Sequence, residues 1–260
     1  MNVQHDMLIG MVHVGALPGT ARGGEPVSAI IDRAVAEAQV LDTAGFDALL
    51  VENMHDTPYL LRDVGPEIVA AMTAVTGAIR AAINIPVGVQ VLAGANTAAL
   101  AVAHATGGQF IRTEGFAYAA VADEGLMAEA DAGPLLRERA RVGANVQVWA
   151  DVKKKHSAHA LTGDLDITEL AQGAVFMGAD ALVLTGSATG KRTQLSDVRT
   201  VRDAVDVPVI VGSGVDASTV RQTLDVAHGA IVGSALKVDS HWANAIDPEA
   251  AKRLVDAARS

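Results

Sequence analysis

The amino-acid sequence predicts a single (β/α)8 barrel that takes up the whole 260-residue chain. Short apolar runs alternate with Ala-rich helical stretches eight times, and strict alternation of this kind gives parallel strands. Several of the apolar runs are hydrophobic throughout, as expected of strands that are buried on both faces. The chain length also suits one closed barrel, which typically needs about 250 residues. An open, doubly wound sheet is the alternative architecture.

The order of elements follows directly from this alternation. Strands are predicted at Leu8–Val12, Ala48–Val51, Val87–Val91, Phe110–Arg112, Val146–Val152, Ala181–Leu184, Val209–Val211 and Ala230–Val232. Helices are predicted at Ser28–Ala44, Pro66–Ala82, Thr97–Ala105, Gly133–Val142, Thr168–Met177, Ser196–Ala204, Ala217–Leu224 and Pro248–Ala258. Gly45 and Gly178 each close a helix just before a strand. Pro86 and Pro208 open strands three and seven, where a missing N–H does least harm.

The four longest irregular stretches all follow strands and therefore lie on the C-terminal rim, where such barrels carry their functional residues. They are approximately Val14–Val27, Asn53–Gly65, Thr113–Asp131 and Lys153–Asp166.

Composition narrows the function classes. The chain contains no cysteine, which excludes disulfides and thiol catalysis, and its formal net charge of −10 argues against nucleic acid as a partner. No apolar run reaches the roughly 18 residues that span a bilayer, and the segment Met1–Asp6 lacks the pattern of a signal peptide. We therefore expect a cytoplasmic protein without membrane partners. Barrels commonly self-associate, so a homo-oligomer is also expected.

Two glycine-containing turns predict a phosphate site. Gly212-Ser213-Gly214 follows strand seven and Gly233-Ser234 follows strand eight. Glycine lets backbone N–H groups approach an anion closely, and the loops after strands seven and eight hold phosphate in many barrels. Glycines could instead serve only the tight turns, but two Gly-Ser turns on the two expected loops favour phosphate binding.

A basic segment after strand five offers the next candidates. Strand alternation would place Asp151 and Lys153 on one face, where a carboxylate beside an ammonium can relay protons. A buried lysine here could instead form a Schiff base with a carbonyl substrate. Lys155 and His156 could bind substrate, or they could equally well belong to a series of charged residues that is exposed to solvent.

The end of strand two carries further polar groups. Glu52 and Asn53 leave the strand and Asp56 follows one turn later, a set that could bind a divalent cation such as magnesium or sugar hydroxyls. Asp56 could equally cap the turn before Pro58.

Three other strand ends add single polar residues. Arg112, at the end of strand four, needs a partner if it is buried: a neighbouring carboxylate or a ligand phosphate. His13 ends strand one, where an imidazole could act near neutral pH or be purely structural. Thr185 ends strand six as a candidate substrate ligand.

Six segments spread over almost the whole chain resemble the BtpA/SgcQ family. They are Gly10–Gly19, Glu52–Tyr59, Asp151–Ser157, Thr185–Gly190, Gly212–Val215 and Val232–Lys237. The resemblance implies a TIM barrel of the phosphate-binding sort. One family name comes from a protein linked to photosystem I accumulation and the other from a gene in a sugar-utilisation cluster. Residues Val121–Asp131 match no motif of the family.

These observations together predict an enzyme that acts on a phosphorylated small molecule, such as a sugar or ribosyl phosphate. Isomerase, lyase and phosphoribosyl-transferase chemistry all fit, with Asp151, Lys153, Glu52 and His13 as the catalytic candidates. A non-catalytic assembly or stability factor and an FMN-binding barrel are the alternatives. No nicotinamide cofactor is expected, because the glycines after His13 are too irregular for a dinucleotide fingerprint.

Overall fold

The computed structural model describes residue 3, residues 5–186 and residues 192–260, and it confirms the closed barrel. Each strand pairs in parallel with the next along the chain, and the last pairs with the first. The strands are β1 (Met7–His13), β2 (Ala48–Glu52), β3 (Val87–Gln90), β4 (Phe110–Thr113), β5 (Gln147–Val152), β6 (Ala181–Leu184), β7 (Val209–Val211) and β8 (Gly229–Val232).

The intervening helices lie close to their predicted positions. They are α1 (Val27–Ala44), α2 (Pro66–Ala82), α3 (Asn96–Thr106), α4 (Ala132–Arg141), α5 (Ile167–Phe176), α6 (Leu195–Ala204), α7 (Val220–Leu224) and α8 (Pro248–Arg259). Helix α7 begins three residues later than predicted. Asp216 Oδ1 accepts hydrogen bonds from the Ser218 N–H (2.8 Å) and the Thr219 hydroxyl (3.1 Å), which hold this segment in a turn. No helix in the described part of the chain is long and apolar enough to cross a membrane.

The core has two layers, one between strands and helices and one inside the barrel. Two of the chain's few aromatic side chains fill the interior: the Phe110 and Trp149 rings stack with centroids 4.0 Å apart. Gly88 makes room for them, because a Cβ at that position would overlap the Phe110 ring. The barrel is therefore a packed core rather than a channel, and its C-terminal rim lies above this floor.

One feature of the rim was not predicted. Three short segments from the loops after β4 and β5, Ala120–Ala122, Gly125–Met127 and Ser157–Ala158, form an antiparallel sheet. The sequence indicated only irregular loops here, because strands of two or three residues are too short to show alternation. This rim sheet brings the turn at Asp123-Glu124 next to the basic segment that follows β5.

Candidate active site

A cavity of about 260 Å³ lies at the C-terminal mouth of the barrel. It gathers many of the residues that the sequence predicted for the site, although they are far apart along the chain. Those that line it are His13, Glu52, Arg112, Lys155, Gly212, Ser213, Gly214, Gly233 and Ser234.

A buried ion pair forms one side of the cavity floor. Arg112 Nε donates to Asp151 Oδ1 over 2.7 Å and Nη2 donates to Oδ2 over 3.0 Å, with both side chains at most 2% exposed. The strand register explains the pairing, since Arg112 lies opposite Trp149, two residues before Asp151 on the same face. Although burial alone would lower the pKa of Arg112, the Asp151 carboxylate raises it above its ordinary value.

The predicted pairing of Asp151 with Lys153 is wrong. Strand β5 ends at Val152, and Lys153 adopts a left-handed backbone conformation with φ 54°, so strand alternation no longer applies. The Lys153 side chain is exposed to solvent, whereas the Asp151 carboxylate is held by Arg112.

The two lysines after Lys153 point in different directions. Lys154 is buried between Glu114 and Glu124, with Nζ–O distances of 3.3 and 3.4 Å. Lys155 instead lines the cavity, and no salt bridge within 4.0 Å joins it to any described residue. Burial, together with the nearby Arg112 guanidinium, lowers the pKa of Lys155.

Glu52 and His13 end two neighbouring strands, and His13 lies next to the glycine turn at Gly233. Burial raises the pKa of Glu52, so this carboxyl is easier to protonate than an ordinary glutamate. Burial and the Lys237 ammonium lower the pKa of His13 to about 3, which keeps the imidazole neutral. His13 Nδ1 donates to the backbone carbonyl of Trp242 (3.0 Å), and Nε2, 3.9 Å from Glu52 Oε2, is then the acceptor nitrogen.

The glycine turns form another part of the cavity wall. Gly214 has φ +72°, a conformation that favours glycine. In the turn after Gly233, the Leu236 N–H donates to the Gly233 carbonyl and the Lys237 N–H donates to the Ser234 carbonyl. The Ser234 and Ala235 N–H groups therefore have no partner inside the turn.

Gly212 and Ser213, which were predicted to bind phosphate, make hydrogen bonds within the protein. The Gly212 N–H donates to the Leu184 carbonyl (2.7 Å), so it continues the barrel ladder rather than facing an anion. The Ser213 hydroxyl accepts from the Gly186 N–H (2.7 Å) and fixes the loop after β6.

Asn53 and Asp56 hold loops together instead of lining the cavity. Asp56 accepts from the Leu17 N–H (2.8 Å) and from the Asn53 amide (2.8 Å), while Asn53 Oδ1 accepts from the Leu92 N–H (2.7 Å). These hydrogen bonds engage the Asp56 carboxylate and the Asn53 amide in holding the loops, and neither residue lines the cavity with Glu52. Within the described residues, no group of three acidic or histidine side chains is arranged to hold a metal ion.

The remaining predicted ligands lie outside the main cavity. His156, with φ 56°, contacts Asp123 (3.5 Å) at the rim sheet, and the Thr185 hydroxyl lies 3.4 Å from the Lys153 carbonyl. The Thr189-Gly190 part of the family motif falls outside the described residues.

Sequence reasoning missed several residues of the mouth. Arg192 lines the cavity beside the glycine turn, where it contacts Asp216 (3.5 Å). A second cavity of about 280 Å³ adjoins the first, with which it shares Glu52, Met54 and Lys155. Its other lining residues include Tyr59, Glu114, Glu124 and Trp242. Trp242 follows the last strand and is one of only two tryptophans, a composition signal that could have identified it.

Comparison with known proteins places the chain in a family. The family model described as "BtpA family" matches residues 4–260. The chain belongs to the BtpA family. A Caenorhabditis elegans relative, named as an uncharacterized mitochondrial protein, is 43% identical over 95% of this chain and 91% of its own length. The "Photosystem I biogenesis protein BtpA" of Synechocystis is 35% identical over 97% of this chain and 88% of its own length.

Solved structures of similar shape are barrels of low sequence identity. Thiamine phosphate pyrophosphorylase from Pyrococcus furiosus superimposes with a TM-score of 0.62 at 15% identity, covering 99% of this chain and 98% of the other. This likeness confirms the TIM-barrel fold of the BtpA chain.

Proposed function

We propose that this BtpA-family protein is an enzyme that acts on a phosphorylated small molecule in the cavity at the barrel mouth. The observation that carries the proposal is that one cavity combines two sets of residues. The first set, the phosphate wall, consists of the glycine turns and the Arg192 guanidinium group, and the second set is Glu52 and Lys155. A sugar or ribosyl phosphate has the matching division between its phosphate group and its reactive carbon atoms.

The phosphate wall combines two kinds of donor. The Ser234 and Ala235 N–H groups open a helical turn, Gly214 makes a tight turn beside them, and Arg192 supplies positive charge. Backbone N–H groups and guanidinium groups are both strong ligands of phosphate oxygens. Thiamine phosphate pyrophosphorylase, which shares the fold, is named for a phosphate ester, and this supports a phosphate ester as the ligand.

Glu52 and Lys155 can exchange protons. Burial raises the pKa of Glu52 and lowers that of Lys155, which brings the two proton affinities closer together. Groups whose pKa values move toward the working pH are suited to general acid–base catalysis. Isomerisation, carbon–carbon bond cleavage and ribosyl transfer all need such a proton donor and acceptor beside the reacting carbon.

A thermal-shift comparison of matched ligands tests the proposal. Ribose 5-phosphate and unphosphorylated ribose would be added separately to the full chain, and related sugar pairs would follow. A ligand at 100 times its Kd should stabilise the protein by about 2.7 kcal/mol. We expect stabilisation by at least one phosphorylated member and none by its partner.

A pair of arginine variants locates the binding wall. Arg192→Ser should weaken the phosphate ester by about tenfold or more, the loss of one charge-assisted contact of about 1.5–3 kcal/mol. Arg199→Ser, on helix α6, serves as the control that changes net charge equally. Equal shifts for phosphorylated and unphosphorylated ligands, or equal losses in the two variants, would contradict the proposal.

The name of the Synechocystis relative supports a second candidate, an accessory factor in the biogenesis of a larger assembly. Such a factor needs an exposed contact surface, and Phe176 at the end of α5 is 90% exposed. The two candidates separate in cells that lack the protein. An enzyme loses complementation in Glu52→Gln and keeps it in Phe176→Ser, whereas an accessory factor that uses this surface shows the reverse.

A further inference from the structure

The basic segment after β5 contains three consecutive lysines in three different environments. Lys153 is exposed to solvent, and Lys154 is buried against the carboxylates of Glu114 and Glu124. Lys155 lies in the mouth of the barrel, where it lines both cavities. It has no salt-bridge partner within 4.0 Å among the residues that the structure describes.

The difference between these environments matters for amine chemistry. A lysine held between two carboxylates stays protonated and has no lone pair to donate. A lysine shielded from water without a carboxylate partner favours its neutral form, which is the nucleophile toward carbonyl carbon. The groups that act on Lys155 are Arg112, which opposes its charge, and Glu52, Asp151 and Glu114, which favour it.

The Asp151 carboxylate is paired with the Arg112 guanidinium group through two hydrogen bonds. Because burial also raises the pKa values of Glu52 and Glu114, these two carboxyls hold a smaller negative charge than exposed glutamates would. Burial and Arg112 therefore outweigh the carboxylates at Lys155, and its pKa is lowered. At Lys154 the carboxylates of Glu114 and Glu124 outweigh burial, and its pKa is raised.

We propose that Lys155 is a covalent catalyst that forms a Schiff base with a carbonyl group of the phosphorylated substrate. The inference rests on the proposed function and narrows its substrate to aldehydes and ketones. It also favours reactions that use an iminium ion as an electron sink, such as carbon–carbon cleavage next to the former carbonyl.

The step balances with groups that line the same cavity. The neutral Lys155 nitrogen attacks the carbonyl carbon, and one proton moves from nitrogen to oxygen to give a carbinolamine. Protonated Glu52 then donates its proton to the carbinolamine hydroxyl, the C–O bond breaks and water leaves. The products are a protonated C=N bond on Lys155, a Glu52 carboxylate and one water molecule, so protons and charge are conserved.

Reductive trapping tests the inference directly. The full chain would be treated at pH 7 with glycolaldehyde phosphate and sodium cyanoborohydride, then digested and analysed by peptide mass spectrometry. Because the neutral amine is the form that attacks a carbonyl carbon, a buried lysine with a lowered pKa reacts preferentially at this pH. We therefore expect Lys155 to carry the dominant adduct, several-fold more abundant than the adduct of any other lysine.

Variants of neighbouring lysines provide matched controls. Lys153→Met should leave the Lys155 adduct unchanged, because its side chain lies outside the mouth. Lys155→Met should abolish the dominant adduct, and Lys155→Arg, which keeps a cation of similar length, should abolish it too. A wild-type protein whose adducts spread over its exposed lysines, without preference for Lys155, overturns the inference irrespective of how the variants fold.

Unphosphorylated glycolaldehyde separates this inference from the proposed function. If both aldehydes label Lys155 equally well, the Schiff base stands and the phosphate wall is wrong. If phosphate esters stabilise the protein in the thermal-shift assay while Lys155 stays unlabelled, the phosphate wall stands and the covalent role is wrong.

Discussion

The buried pair between Arg112 and Asp151 makes a quantitative prediction about stability. Asp151→Asn keeps the size and shape of the side chain but removes its charge. The Arg112 guanidinium, 2% exposed, then loses the carboxylate that accepts its two hydrogen bonds. Breaking a buried pair from one side costs about 3–5 kcal/mol. Because the asparagine oxygen can still accept one bond, we expect the lower end, about 3 kcal/mol.

Thermal denaturation gives the measurement. For a chain of this size 1 kcal/mol corresponds to about 2–4 °C, so Asp151→Asn should melt about 6–12 °C below wild type. The matched control is Glu138→Gln, which removes the charge from a surface pair with Arg141 of similar length, 2.6 Å. Exposed pairs of this kind contribute little, so the control should melt like wild type.

A double variant distinguishes charge from geometry. Arg112→Met with Asp151→Leu replaces both partners by apolar groups, which should recover much of the stability that Asp151→Asn loses. An Asp151→Asn protein that melts within 2 °C of wild type would refute the assignment of this pair to the structural floor of the cavity. Asp151 would then again be a candidate for direct participation in the reaction.

Three further predictions concern other parts of the rim. Gly233→Leu should weaken binding of a phosphate ester far more than binding of its unphosphorylated analogue in a calorimetric titration. The added side chain would be crowded, because even its Cβ would lie 3.3–3.4 Å from Met11 and His13. The pKa of His13, lowered to about 3, means that its stabilising effect is present above pH 6.5 and is lost as pH falls toward 3. Between pH 7 and pH 5, wild type should therefore lose about 2 kcal/mol more than His13→Gln in urea denaturation, and parallel losses would contradict the shift. Lys237→Met should lower the free energy of unfolding by about 3–5 kcal/mol in the same assay. The reason is that Glu37 would stay buried without the ammonium group that binds its oxygens at 2.7 and 2.9 Å. A decrease below about 1 kcal/mol would argue against this pair.

The sequence predicted the barrel because its signals are periodic and repeated. Short apolar runs alternate with longer helical stretches along the chain, so an error in one element changes neither the number of units nor their order. The rim sheet formed by Ala120–Ala122, Gly125–Met127 and Ser157–Ala158 was missed because its pairing is long-range and its strands are short. Helix α7 was predicted too long because helix propensity cannot anticipate the Asp216 side chain that competes for its first turn.

The position of the site was predictable, but the direction of each side chain was not. Strand ends of a parallel barrel must meet at one rim, which brought His13, Glu52 and the glycine turns together. Alternation fails as soon as the strand ends, and at Lys153 a single backbone angle of φ 54° turns the side chain to solvent. The partner of Asp151 lies on the neighbouring strand, 39 residues away, and only the strand register reveals it.

The polar residues at the rim fall into two groups: those whose donor and acceptor atoms already bond to the protein, and those whose atoms face the cavity. Asn53 and Asp56 looked like ligands, yet their oxygens accept backbone N–H groups from the loops after β1 and β3. They therefore fix the shape of the mouth, and replacing them would act first on loop position. Lys155 faces the cavity instead, with no salt-bridge partner among the described residues, which is the arrangement that the proposed covalent role requires. Because both kinds of residue follow strands and both are polar, a sequence pattern cannot tell them apart, whereas the occupancy of each donor and acceptor atom can.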